Sequence, residues 1–318
     1  MVVFSSTLNQ MAILFLIIII GYVLMKTKTI PAESTKVLSK IENAVFMSAL
    51  VFSTFSTNFT PNKINMAWKA LLAGFIVITI SIPLSCLIAR FCTKDGYLRN
   101  IYTYGLAFSN FGFVGTAVVD ALYPEIFMEY MIFILPFWIM IYSWCIPYFL
   151  IPRDETKSPF KSGLKNMINP MFIAMIAGIA VGLTQINLPP FITSTASSLS
   201  NCMAPCAMLI TGITAAQINL KGAFTNRNIY LLTFLRLLVL PLIGIGIFYL
   251  IPISFSLKLC GICALAMPLG LNTVVVPAAY GKDTTEAAGM ALVSHLFGCL
   301  TIPLIFMLLL LLYCIHFC

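Results

Sequence analysis

Apolar stretches long enough for a bilayer-spanning helix of about 20 residues recur at about ten places along the chain, centred near residues 16, 46, 78, 111, 138, 176, 206, 241, 270 and 301. A membrane β-barrel would need alternating polarity, and runs such as LFLIIIIG from Leu14 and LIFMLLLLLY from Leu304 do not alternate. The pattern therefore predicts an all-α membrane protein of ten transmembrane helices, five in each half. The first stretch, Leu8 to Met25, has no basic segment before it and no small-residue cleavage site after it, so it is expected to be a retained helix.

Composition agrees with this pattern. With 60% hydrophobic and 9% charged residues and a mean hydropathy of +1.01, the chain has too few charges to coat a soluble globule. Charge placement then predicts orientation. In a ten-span arrangement Lys26, Lys28, Lys36, Lys40, Arg90, Lys94, Arg99, Arg153, Lys157, Lys161, Lys165, Lys221, Arg227 and Lys282 share one side. Only Lys63, Lys69 and Lys258 fall opposite, and Arg236 lies inside a span. The positive-inside rule puts the larger group in the cytoplasm and both termini outside the plasma membrane.

The chain also reads as one unit written twice. Gly115 to Tyr123 is GTAVVDALY, and Asn272 to Tyr280 is NTVVVPAAY, with Thr116/Thr273, Val118/Val275, Val119/Val276, Ala121/Ala278 and Tyr123/Tyr280 all 157 positions apart. Within one residue the same offset joins Ile30-Pro31 to Leu188-Pro189, Ala49 to Ala207, and Ile146-Pro147 to Ile302-Pro303. Residues 1–155 and 160–318 are thus the expected repeats, joined by the charged loop Pro152 to Lys165. Five spans per repeat force the second copy to enter from the opposite side, so the repeats are predicted to be inverted. Such a pair can exchange conformations around a central site, which is a transporter's plan, although duplication can also simply build a helix bundle.

The fourth and ninth spans hold the expected site. The fourth carries FSNFGFVGTA, with Ser109, Asn110, Gly112, Gly115 and Thr116. The ninth carries MPLGLNTVVVP, with Pro268, Gly270, Asn272, Thr273 and Pro277. Glycine and proline weaken helices, and proline removes a backbone donor. Both spans are therefore expected to break and to cross at mid-membrane, each presenting a half-helix N-terminus that favours an anion. The amides of Asn110 and Asn272, with the hydroxyls of Ser109, Thr116 and Thr273, suit a carboxylate; the competing role for such residues is interhelical hydrogen bonding.

Several segments together resemble the auxin efflux carrier family, which includes bacterial malonate and malate carriers and the plant PIN-FORMED exporters. They are GYVLMKTKTIPAESTKVLSKIENAVF, FSNFGFVGTAVVDALYP, NMINPMFIAMIAGIAVGL, FLRLLVLPL and MPLGLNTVVVPAAYGKD. The resemblance implies a scaffold of spans 1, 2, 6 and 7 and a moving transport domain of spans 3–5 and 8–10. It also implies elevator-like carriage of organic acid anions, with Asn110 and Asn272 matching the family's asparagines; a homodimer through the scaffold helices is a separate expectation. The chain departs from the family at Ala117 and Ser48, where proline is usual. The first departure leaves the fourth-span break resting on Gly112 and Gly115.

Three further intramembrane groups are candidates for an ion pair or for coupling. Arg236 must pair, snorkel or face water, with Glu42 as one partner. His295 is positioned either to carry a proton or to sit neutral on a neighbour. Asp120, Glu125 and Glu129 fall at the outer mouth, the two glutamates on a solvated turn. Cys202/Cys206 and Cys260/Cys263 lack the histidines or acids of a metal site. With no phosphate-binding glycine loop and no assembled nucleophile and base, neither a cofactor nor an enzyme is expected, and the basic loops reflect topology rather than nucleic-acid binding. The alternatives to an anion carrier are a sodium- or proton-coupled symporter or antiporter of the same fold, or a non-transporting receptor. An antiporter would need a carboxylate pair in the fifth span, and Ile132 to Leu150 contains none.

Overall fold

The computed structural model describes residues 2–151, 170–217, 226–280 and 282–317. The expected inter-repeat loop, with Arg153, Lys157, Lys161 and Lys165, lies outside the described residues, as does Lys221. The described chain is helical, and its one extended pairing is an isolated bridge. Five runs are long and apolar enough to cross a bilayer unaided: Ser34–Asn58, Pro61–Cys92, Pro190–Gln217, Arg227–Leu250 and Thr285–Leu312. A sixth, Pro124–Met140 with Ser143–Leu150, qualifies across a 48° bend. Shorter apolar helices occupy Ala12–Lys26, Phe111–Leu122, Pro170–Thr184 and Phe255–Leu265. The protein is a multi-pass membrane protein.

The described chain begins with α1 (Val2–Lys26). It continues through α2 (Ser34–Ile41) and a π-helical turn at Glu42–Phe46 into α3 (Met47–Asn58). Next come α4 (Ile64–Cys92), α5 (Gly96–Ala107), α6 (Thr116–Leu122), α7 (Phe127–Phe133) and α8 (Leu135–Met140), the last running into a π-helical stretch, Ile141–Leu150. After the undescribed segment come α9 (Pro170–Thr184), α10 (Pro190–Ser200), α11 (Met203–Gln217) and α12 (Arg227–Phe234). Last come α13 (Leu240–Leu250), α14 (Phe255–Leu265), α15 (Asn272–Ala279) and α16 (Thr285–Phe317).

Local features recur at the spacing seen in the sequence. Among the described residues only Lys28 and Gln185 are non-glycine positions with positive φ, at 57° and 54°. They stand 157 positions apart, just after α1 and α9, where a left-handed residue ends a helix. Asp95 caps α5 by accepting from Leu98 N, and Ser254 caps α14 by accepting from Leu257 N.

Packing follows the same exchange. α1 lies along α11, with Gly21 set against the Leu209 carbonyl and Gly212 against that of Ile18. α9 lies along α3, with Gly178 against the Phe52 carbonyl and Gly182 against those of Phe55 and Phe59. With no hydrophobic drive between helices in lipid, such small-residue contacts let backbones approach and gain dispersion energy. A β-carbon at any of the four would drive into the facing main chain. Outward, α4 and α16 show Phe75, Leu87, Phe91, Leu300 and Leu304, a face suited to acyl chains.

Candidate functional site

Two helices are interrupted near the middle of the molecule, and the interruptions touch. α5 ends at Ala107, the chain extends through Phe108 and Ser109, and helix resumes at a π-helical turn, Phe111–Gly115, that feeds α6. α14 ends at Leu265, and six non-helical residues precede α15. Ser109 and Leu269 form an antiparallel bridge, and Asn110 N donates to Pro268 O at 2.7 Å. Gly270 lies so near the Phe108 and Ser109 carbonyls that an added β-carbon would sit 3.2 and 3.1 Å from them, so any side chain there presses on the crossing.

The first break differs from the sequence expectation in its cause. Gly112 and Gly115 lie inside the resumed helix rather than at the gap. What they provide is room: a β-carbon on Gly112 would strike the Trp138 indole, and one on Gly115 the Tyr130 hydroxyl. That hydroxyl donates to Phe111 O at 3.0 Å.

The breaks form the wall of a cavity of about 950 Å³ that reaches Lys36, Lys40, Gln217 and Thr285. Of the residues singled out from sequence, Ser109, Asn110, Gly112 and Asn272 line it, whereas Gly115, Thr116 and Thr273 do not. The hydroxyls are turned to the backbone: Thr116 Oγ1 donates to Gly112 O at 2.5 Å, Thr273 Oγ1 to Gly270 O at 2.6 Å, and Ser109 Oγ to Ala264 O at 2.5 Å. Asn272 Nδ2 donates to Tyr104 Oη at 3.2 Å. Asn110 Nδ2 lies 3.1 Å from His295 Nε2, and His295 Nδ1 lies 2.6 Å from Ala291 O.

Arg236, 1% exposed, is buried on backbone carbonyls. Its Nη1 donates to Leu106 O at 2.6 Å, Nη2 to Leu265 O at 3.0 Å and Ala264 O at 3.4 Å, and Nε to Met267 O at 3.2 Å. One guanidinium therefore caps the C-terminal ends of α5 and α14 together, where carbonyls lack helical donors and the dipole is negative. Glu42 is not its ion-pair partner. That carboxyl is fully buried in the π-helical turn beside α9, α10 and α11, and neither oxygen has a hydrogen-bond partner among the described residues. Glu129, expected on a solvated turn, is buried at 8% exposure and accepts from Ser256.

Sequence reading missed the basic mouth. Lys36 and Lys40, one helical turn apart on α2, line the cavity, and Gln217 ties α11 to α2 through Ala32 O and Thr35 Oγ1, both at 3.0 Å. Amphipathic spacing in α2 was the available signal. Beyond the spans, Asp283 accepts from Thr285 Oγ1 and N at the start of α16, and these hydrogen bonds hold its carboxyl below the ordinary aspartate value.

A family model described as membrane transport protein matches residues 6–306. The chain belongs to the auxin efflux carrier family. Crossed breaks beside a large cavity therefore lie within a family of membrane transport proteins, not one of enzymes. A comparison with curated proteins gives no match.

Proposed function

We propose that the protein is a secondary-active or potential-driven carrier of small organic acid anions, binding a carboxylate between Asn110 and Asn272 and moving it by an elevator-type displacement. The observation that carries this reading is the antiparallel contact of the two breaks at the cavity wall. There, half-helix N-termini border the cavity, while Arg236 neutralises the opposing C-terminal carbonyls. The local field then favours negative charge.

In this reading residues 1–155 and 160–318 are inverted repeats of five spans each. The shared left-handed caps, the shared N-caps and the exchanged pairings of α1 with α11 and α9 with α3 support it. The scaffold comprises α1–α3 and α9–α11; the transport domain comprises α4–α8 and α12–α16. Two copies join through the scaffold in the plasma membrane, with termini outside, and the lysine-lined mouth faces the cytoplasm.

The test is flux in liposomes containing purified protein, using labelled malonate, lactate and indole-3-acetate under imposed potential and ion gradients. Wild type carries at least one of the three. Asn110→Ala and Asn272→Ala each lower that flux roughly tenfold or more, as expected for one hydrogen bond to a charged group, while inserting and eluting as wild type. Wild-type rates in both variants would place the site elsewhere.

A further inference from the structure

The proposed substrate amide is wired to a titratable ring. His295 Nδ1 lies 2.6 Å from the Ala291 carbonyl oxygen, and a carbonyl only accepts, so Nδ1 carries a hydrogen whatever the charge of the ring. Nε2 is then the nitrogen that gains or loses a proton. Its described partner is Asn110 Nδ2, at 3.1 Å.

An amide nitrogen only donates, so this contact fits the neutral ring, with Nε2 accepting from Asn110. Once Nε2 is protonated, two donors face each other. The backbone of Asn110 cannot yield, because its N donates to Pro268 O at 2.7 Å and its O accepts from Gly115 N at 2.9 Å. The side-chain amide can turn. That rotation gives Oδ1 to the imidazolium and brings both hydrogens of Nδ2 to the cavity that Asn110 lines.

We propose that His295 is the proton-binding site of this carrier, and that its protonation turns the Asn110 amide from presenting an acceptor to presenting donors, so that proton and organic anion bind together. The proposal rests on the anion-carrier reading above. Both consequences of protonation have the same sign: a positive charge arrives behind Asn110, and a carboxylate meets N–H groups in place of an amide oxygen. By linkage, the factor by which a proton strengthens anion binding equals the factor by which the anion strengthens proton binding. Each carried anion then brings a proton, and the carrier works as a symporter.

The surroundings leave this pair to itself. The facing residues Leu14, Phe15 and Ile18 of α1, Val114, Met208 of α11 and Pro268 are all apolar or uncharged. The nearby titratable group on the same helix is the Cys299 thiol, which donates to His295 O. Arg236, from the element between α12 and α13, borders the neighbouring stripe of α16 at Met290 and Ser294, and its donors are taken by carbonyls. On α14, the thiols of Cys260 and Cys263 lie toward Tyr130.

Two measurements decide the matter. The chain has two histidines, so His316→Gln leaves His295 as the sole reporter in protein labelled with ¹⁵N at histidine and asparagine. Across a pH titration in lipid without any added anion, Nδ1 stays protonated, Nε2 titrates, and the Asn110 side-chain amide resonances move with the same midpoint. An Asn110 resonance that ignores the titration, or a neutral ring protonated at Nε2, overturns the switch.

In liposomes, a tenfold proton gradient, acid outside, accelerates wild-type uptake of the carried probe several-fold, up to tenfold. His295→Gln abolishes that acceleration while inserting and eluting as wild type. Full acceleration in His295→Gln overturns the coupling. Should His295→Gln fail to fold, the spectroscopic titration on the unmutated ring decides alone. Should none of malonate, lactate or indole-3-acetate be carried by wild type, the anion-carrier reading fails, and the spectroscopic result still accepts or rejects the switch.

Discussion

The two breaks meet at one crossing and are built differently. The first interrupts helix over three residues, Phe108 to Asn110, with neither glycine nor proline in the gap, and restarts as a π-helical turn. The second spans Ala266 to Leu271, contains Pro268 and Gly270, and restarts as ordinary α-helix at Asn272. Their asparagines diverge accordingly. Asn110 sits within its gap, beside an imidazole that can change charge, whereas Asn272 opens α15 and donates to a tyrosine hydroxyl. At the 157-residue offset the two asparagines do not align, for Asn110 falls on Met267 and Asn272 on Gly115, so each break places its amide in its own way and packing fixes what each can do. In the proposed carrier, the likeness of the two breaks supports an exchange of states, and their difference lets a proton accompany the anion.

Arg236 is the one group that serves both breaks, and its loss should have the largest effect. Four carbonyls from two helix ends converge on it. Each buried acceptor left unpaired costs about 1–3 kcal/mol, so Arg236→Met should unfold the crossing rather than merely slow it. Expected outcomes are aggregation on size-exclusion chromatography in detergent and no measurable flux. Arg236→Lys keeps the charge but offers one point donor group in place of a planar fork, and should recover part of the folded yield. Wild-type thermal stability in Arg236→Met would mean that the two breaks are held independently.

Gly270 separates the breaks next. A side chain there pushes on the Phe108 and Ser109 carbonyls, which belong to the other break and have no soft rotamer to yield. Gly270→Val should lower the unfolding temperature in detergent by several degrees and reduce flux roughly tenfold, by about 1.4 kcal/mol per tenfold change. Gly246, on α13 with open space around its position, is the control, and Gly246→Val should match wild type. Equal behaviour of the two variants would show that the breaks need not touch.

Much of this was legible before any coordinates, because helix spans, repeat offset and proline or glycine interruptions are properties of composition and spacing. Asn110 and Asn272 lie at the cavity wall as their motifs required. The hydroxyls turn to the backbone for a local reason: a threonine in or at the start of a helix donates to the carbonyl three or four residues earlier, as Thr116 and Thr273 do. Other features were beyond reach. The hydrogen bond from Arg236 to Leu106 joins residues 130 positions apart, and that from Asn110 to His295 spans 185. No motif encodes such pairings; they arise from how the helices lie together.

The mildest test concerns the first break alone. Alanine at position 112 is a better helix former than glycine by about 1 kcal/mol, which offsets part of the cost of moving the Trp138 ring, so Gly112→Ala should fold close to wild type. Its added methyl must nevertheless displace the Trp138 ring, which packs edge-on against Phe111 at 5.1 Å and borders the cavity. The ring can give way only toward open space, which narrows the cavity from the first-break side. Competition assays should therefore show indole-3-acetate disfavoured relative to malonate by several-fold, with little change in thermal stability. A uniform loss for both anions would instead mean that Gly112 supports the crossing itself, making the first break as intolerant of side chains as the second.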